Sequence, residues 1–310
     1  MAFTLWDWTV YYVVLSAGIV PDTLLNAFSL LMGSPSYRRA ELYGASLSQS
    51  EPRIPPMRNS LAALPQPSFW GPPSVVISPG IRTLGHSSVS DDLVNILQDM
   101  SSLTAFIESF RSGSIMTEEA LLYFDDERSS IEFRILCLPG KDKKQHGDTE
   151  ANNIEESCRI AAIIYMKIVF CQVEPAAPIH ISLSNRLRIA LMQTKLQSCW
   201  DNLSELLLWV LFIGATVAQR GPTRSWLLVV SKMVCSYLQK LSWHDVKEIL
   251  SKYLWSDRIL EGRGRRLWLE VEAESENYTS QMMRKSTLGQ RGIDMWRTKE
   301  AEAGGVIGAY

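Results

Sequence analysis

The sequence has few cysteines, and no two of them are close together. Its five cysteines are separated by 21, 13, 28 and 36 residues, and they are Cys137, Cys158, Cys171, Cys199 and Cys235. Zinc sites usually take thiolates about two to four residues apart, and a disulfide framework needs an even number. We therefore predict free thiols in a reducing compartment, no metal site and no cofactor.

A charge excess of one sign is also missing. The chain has 31 basic and 33 acidic residues, a formal net charge of −2 and a pI near 6.1. Domains that bind nucleic acid usually carry a clustered basic excess, because they must neutralise phosphates. We therefore predict no direct DNA binding by this chain alone.

Apolar runs of membrane-spanning length are absent. The runs at residues 8–20 and 206–218 are 13 residues long, whereas crossing a bilayer takes about 20. No Lys or Arg precedes Arg38, so the positively charged start of a signal peptide is missing. We predict no membrane association, and we expect the apolar segment 1–32 to belong to a helical domain whose upstream part is absent from this chain.

Catalytic motifs are missing as well. There is no Walker loop, no glycine fingerprint for dinucleotides and no nucleophile elbow. The adjacent carboxylates Asp125, Asp126 and Glu127 would point in different directions on one helix, so we interpret them as a surface acidic patch. We predict that the protein is not an enzyme.

Tryptophan, by contrast, is frequent, with ten in 310 residues. Aromatic and arginine side chains dominate binding hot spots, and the segment "EGRGRRLW" places three arginines beside a tryptophan. The residues of a candidate partner surface are Trp200, Trp226, Trp243, Arg263, Arg265 and Arg266. The alternatives are that the tryptophans form core and that the arginines lie on a solvated helix face.

Proline divides the chain. Nine of its 14 prolines lie in residues 33–89, which predicts an irregular Pro/Ser-rich connector. From residue 90 to 272, apolar residues recur at helical spacing, and Ser90, Thr117 and Ser242 are candidate N-caps. One apolar face is expected over residues 226–241 and another over 243–254, and residues 273–310 are expected to be a polar flexible tail.

These patterns predict an all-α protein in which roughly seven or eight helices of a regulatory domain, residues 90–272, pack around one central helix. Residues 206–213 are eight consecutive apolar residues. A helix that is apolar on every side is stable in water only when its neighbours cover all of it.

The chain from Ser68 to Glu272 resembles the fungal-specific transcription factor domain, the regulatory region that follows a zinc cluster in many fungal regulators. The matching blocks include "PSFWGPP", "ESCRIAAIIYMKIVF", "SCWDNLSELLLWVLFIGATVA", "RSWLLVVSKMV" and "WHDVKEILSKYLW". None of these blocks is a chemical signature.

The resemblance implies a nuclear protein that regulates transcription by binding protein partners or itself. Without the resemblance, the expected location is the cytoplasm. The six closely spaced cysteines of a zinc cluster are not in this sequence. The alternatives are a solitary α-helical interaction scaffold without a transcriptional role, and a helical enzyme with an aromatic-lined pocket.

Overall fold

The computed structural model describes residues 35–48, 50–53, 78–86, 89–110, 117–138, 149–196, 200–240 and 242–284. Within these ranges the protein is all-α, with ten α-helices, two short 3-10 helices and no strand. The α-helices are α1 (Pro35–Ser48), α2 (Pro79–Arg82), α3 (Asp91–Ser109), α4 (Glu118–Cys137), α5 (Thr149–Val169), α6 (Pro178–Met192), α7 (Ser204–Val217), α8 (Pro222–Tyr237), α9 (Trp243–Ser251) and α10 (Asp257–Arg284). The predicted fold class and the predicted number of helices after residue 90 are confirmed.

Helix α7 is the centre of the bundle. All eight residues 206–213 are at most 2% exposed, and α7 contacts α5, α6, α8, α9 and α10. The indole Nε1 of Trp209 donates a hydrogen bond of 2.8 Å to the carbonyl of Leu254, which joins α7 to the turn after α9. Each large apolar side chain buried here contributes about 1.5–3 kcal/mol, so this helix anchors the core.

Three helices begin where the sequence predicts. The hydroxyl oxygens of Ser90, Thr117 and Ser242 accept hydrogen bonds from the backbone amides three residues later, at 3.4, 3.2 and 3.2 Å. These side chains satisfy amide groups that have no partner within the helix.

One arginine joins three helices at the end of α7. The Nη1 atom of Arg224, in the first turn of α8, donates to the carbonyls of Ala215 and Ala218 at 2.7 and 2.8 Å. The same guanidinium pairs with Glu270 of α10 at 2.9 and 3.0 Å. It therefore satisfies carbonyl groups at the C-terminus of α7 while holding α8 and α10 beside them.

Two predicted boundaries differ from the structure. The connector 33–89 is not irregular throughout, because α1 and α2 lie inside it; each begins with a proline, which is tolerated at the first helical position. Leu42 and Ala45 of α1 are buried in the core. The tail predicted from residue 273 is helical as far as Arg284, since α10 continues without a break. The segment 1–32 lies outside the described residues.

Candidate interaction surface

The structure places Trp200 in the core rather than on the predicted partner surface. Its side chain is 1% exposed, and its Nε1 donates to the hydroxyl of Thr194 at 3.0 Å. A side chain that is this buried and hydrogen-bonded supports packing, so Trp200 is removed from the candidate surface.

Trp243 is half-buried and belongs to an aromatic cluster. It stacks on Phe212 with ring centroids 6.5 Å apart and lies 5.9 Å from the ring of Trp255. Its Nε1 donates to Glu261 at 3.0 Å. These contacts attach α9 and α10 to the central helix.

The three arginines of α10 do not form one basic patch. Arg265 and Arg266 are exposed, whereas Arg263 is half-buried and its Nη1 atom is buried without a hydrogen-bond partner in the described structure. Side chains at positions i and i+2 of a helix point in nearly opposite directions, so Arg265 points away from Arg263, whereas Arg266 at i+3 lies on the same side as Arg263. The sequence therefore groups residues that the fold separates.

Trp226 lies on an apolar stripe along the outer side of α8. Val229, Met233 and Tyr237 follow it at i+3, i+7 and i+11, spacings that put the four side chains on one face. Met233 and Tyr237 are each 49% exposed, and Trp226 and Val229 are half-buried. The opposite side of α8, which includes Leu227 and Leu228, packs into the core.

Helix α6 presents a second apolar stripe beside it. Ile189 and Met192 are 56% and 58% exposed. The hydroxyl of Thr223 at the start of α8 donates to Asn185 of α6 at 2.6 Å. At its other end, the hydroxyl of Tyr237 donates to Asp201, which follows α6, at 2.8 Å. The two helices are therefore in contact, and the start of α8 lies beside the middle of α6.

We call these six residues the α6–α8 face: Ile189, Met192, Trp226, Val229, Met233 and Tyr237. Of these six residues, only Trp226 belongs to the partner surface predicted from the sequence. The exposed methionines and the aromatic residues are types enriched in protein interfaces. Exposed apolar surface of this kind marks interaction sites on soluble proteins.

Charge on these two helices has one sign. Neither α6 nor α8 contains an Asp or Glu, whereas Arg186, Arg188, Arg224 and Lys232 lie on them. Arg186 and Arg224 pair with carboxylates of α5 and α10. No carboxylate partner for Arg188 or Lys232 lies among the described residues. Lys232 lies 5.9 Å from the ring centre of Trp268.

A buried ionic cluster lies elsewhere, where α1, α4 and α5 meet. Lys167 and Glu132, 2% and 3% exposed, form an ion pair. The hydroxyl of Ser46 donates to the same carboxylate at 3.3 Å, and the ammonium of Lys167 lies 5.4 Å from the ring centre of Tyr43. A buried pair of this kind requires additional hydrogen bonds to offset desolvation, and Ser46 supplies one.

The predicted acidic patch extends this ionic network rather than forming a metal site. The carboxylate of Asp125 accepts from Arg39 at 2.9 Å and from Arg128 at 2.6 Å. Burial acts to raise the pKa of Asp125, but the hydrogen bonds and charges of the two arginines outweigh it and hold the pKa below its usual value. No group of three metal-binding side chains is found in the described ranges.

His180, at the first turn of α6, is fully buried. Its Nε2 atom lies 3.4 Å from the carbonyl of Val173, and its Nδ1 atom has no hydrogen-bond partner in the described structure. Burial, together with the nearby charges of Lys167 and Arg263, lowers the pKa of His180 from 6.5 to about 4. The imidazole is therefore neutral near pH 7.

The buried thiols are not activated for nucleophilic chemistry. Burial raises the pKa of the Cys158 thiol, and it raises the pKa of Cys235 to about 12. Burial also raises the pKa of Cys171, although Arg128 donates to its sulfur at 3.3 Å. A reactive cysteine has a lowered pKa instead. These side chains therefore behave as core residues.

None of the helices in the described ranges is long and hydrophobic enough to cross a bilayer. No curated protein matches the chain, and no solved structure matches it. One family model does match, that of the fungal specific transcription factor domain, over residues 45–284, about three quarters of the chain. This match starts inside α1 and ends at the last residue of α10, so it covers helices α2 to α10 and the end of α1. The chain belongs to the fungal specific transcription factor domain family.

Proposed function

We propose that the protein regulates transcription in the nucleus by binding a protein partner, or a second copy of itself, and that this chain does not contact DNA directly. Its family is one of regulatory, non-catalytic domains. The observation that carries the proposal is the α6–α8 face, an exposed apolar surface on a domain of that family.

The chemistry of the face supports binding to protein rather than to nucleic acid. Its protruding side chains are aliphatic or aromatic, and two of the four cations on its helices are paired with Glu156 and Glu270. A surface that holds phosphates would instead present a cluster of unpaired Lys and Arg side chains.

The proposal is tested in cells with a charge placed on the face. Met233→Glu changes an exposed residue, so the fold should persist while apolar binding is lost. Leu121→Glu on α4 is the matched control, because Leu121 is 51% exposed and lies outside the α6–α8 face. Epitope-tagged wild type, both variants and a deletion strain are compared for nuclear and chromatin recovery and for their transcript profiles.

We expect Met233→Glu to reproduce the transcript changes of the deletion, and Leu121→Glu to behave as wild type. A protein that stays out of the nucleus, with transcripts unchanged on deletion, would refute the regulatory role and favour a solitary interaction scaffold. Equal effects of the two variants would refute the assignment of the α6–α8 face.

A further inference from the structure

We infer that the α6–α8 face binds an acidic amphipathic helix of a partner protein. This inference rests on the proposed function and specifies the chemistry of the partner. It depends on two observations, the spacing of the exposed apolar side chains and the sign of the charge around them.

The spacing fits another helix. On α8 the four apolar side chains recur over three turns, and on α6, which contacts α8, Ile189 and Met192 are also exposed. Two neighbouring helices that each present an apolar ridge offer a third helix a place to pack between them. The exposed methionines can adapt to the shape of the incoming side chains.

The charge around the face selects an acidic partner. Residues 175–244 contain seven Lys and Arg but only two carboxylates, Asp201 and Glu205, although the whole chain carries a net charge of −2. Asp201 accepts from Tyr237, and Glu205 pairs with Lys252. Arg186 and Arg224 pair with carboxylates of other helices. Arg188 and Lys232 have no carboxylate partner among the described residues, and a negatively charged partner would complement these two cations.

The same charge disfavours a second copy of the chain. A two-fold symmetric dimer places the same patch of both subunits against each other. Helices α6 and α8 would then meet without a single Asp or Glu from either copy. Like charges across an interface oppose association, so the occupant is a different protein.

The test uses the full chain and fluorescent peptides of about 18 residues, enough for five helical turns. The first peptide carries Leu on one helical face and Glu at the remaining positions. The second has Lys in place of every Glu, and the third keeps the composition of the first in an order that removes the apolar face. Binding is measured by fluorescence anisotropy at low and high salt, with circular dichroism melts of each protein variant.

We expect the chain to bind only the acidic amphipathic peptide, more weakly at high salt because exposed charges are screened. Met233→Glu should weaken this binding at least about tenfold, since it removes an apolar contact and repels the peptide. Arg188→Glu combined with Lys232→Glu should weaken it and reduce its salt dependence. Leu121→Glu should bind as wild type does.

Several results would overturn the inference. The first is equal binding of the acidic and basic peptides, and the second is a loss of peptide binding with Leu121→Glu equal to that with Met233→Glu. The third is stronger binding to vesicles of anionic phospholipid that Met233→Glu abolishes. The fourth is a dimer in sedimentation that Met233→Glu dissociates. Absence of peptide binding, with transcripts still altered by Met233→Glu in cells, would overturn this inference while leaving the proposed function intact. Unchanged transcripts on deletion of the gene would refute the proposed function itself.

Discussion

Two glycines of α10, only two residues apart, should respond in opposite directions to the same substitution. Gly262 is exposed, and a Cβ atom added there meets no atom within 4 Å. Gly264 is buried, and a Cβ atom there would lie 2.5 Å from Cη2 of Trp243 and 2.6 Å from Cη2 of Trp255. Both positions lie inside one helix, so the change in backbone entropy is nearly the same for each.

The magnitudes follow from these surroundings. Replacing an exposed helical Gly by Ala stabilises a protein by about 0.5–1 kcal/mol, so Gly262→Ala should raise the free energy of unfolding by that amount. Gly264→Ala has the same gain, but overpacking a core typically costs about 1–3 kcal/mol. The two rings are held by each other and by Phe212, so we expect a net loss on the order of 1–2 kcal/mol at Gly264.

The assay is urea unfolding of the wild type and both variants, followed by circular dichroism, with thermal melts as a second measurement. For a domain of this size a change of 1 kcal/mol shifts the Tm by about 2–4 °C. The Tm values should therefore fall on opposite sides of the wild type. If both variants were stabilised equally, Gly264 would not be in contact with the tryptophan rings, and the described packing of α9 on α10 would be wrong.

Two further predictions concern buried polar groups. Lys167→Met should lower the free energy of unfolding, measured in urea, by about 3–5 kcal/mol, because it leaves the carboxylate of Glu132 buried without its cation. Adding Glu132→Leu should recover most of this loss. A double variant no more stable than the single one would contradict this reasoning. Because the pKa of His180 is lowered to about 4, its unfolded form gains a proton below about pH 6.5 before its folded form does, so stability is lost as the pH falls toward 4. Compared with His180→Gln, the wild type should lose on the order of 3 kcal/mol more between pH 7 and pH 4, and parallel curves of stability against pH would show that His180 is not shielded from protonation.

Structural features that depend only on residues close together in the chain can be predicted from the sequence. Ser90, Thr117 and Ser242 are recognisable as helix N-caps because a cap acts on amides only three residues away. The run 206–213 identifies the central helix, since a segment apolar on all sides must be covered wherever it lies. Proline was a weaker guide, because Pro35 and Pro79 begin helices instead of ending them.

The surface depends on tertiary packing, which the sequence pattern does not specify. Trp200 and Trp226 are the same residue type near helix ends, yet one is 1% exposed and the other lies on the α6–α8 face. Periodicity predicts one apolar face over residues 226–241. In the structure, α8 has apolar residues on two sides: Leu227 and Leu228 are buried in the core, whereas Met233 and Tyr237 are exposed. The lack of any Asp or Glu in α6 and α8 is the sequence signal that distinguishes this region.

The position of the central helix has a consequence for synthesis on the ribosome. Helix α7 contacts α5 and α6, which precede it, but also α8, α9 and α10, which are translated later. Val271 is buried in the core. Until the ribosome has synthesised the chain up to this residue, the apolar run 206–213 stays partly exposed and can bind chaperones or aggregate. Premature stop codons within α8, α9 or the first turns of α10 should therefore yield insoluble protein rather than a shortened functional domain.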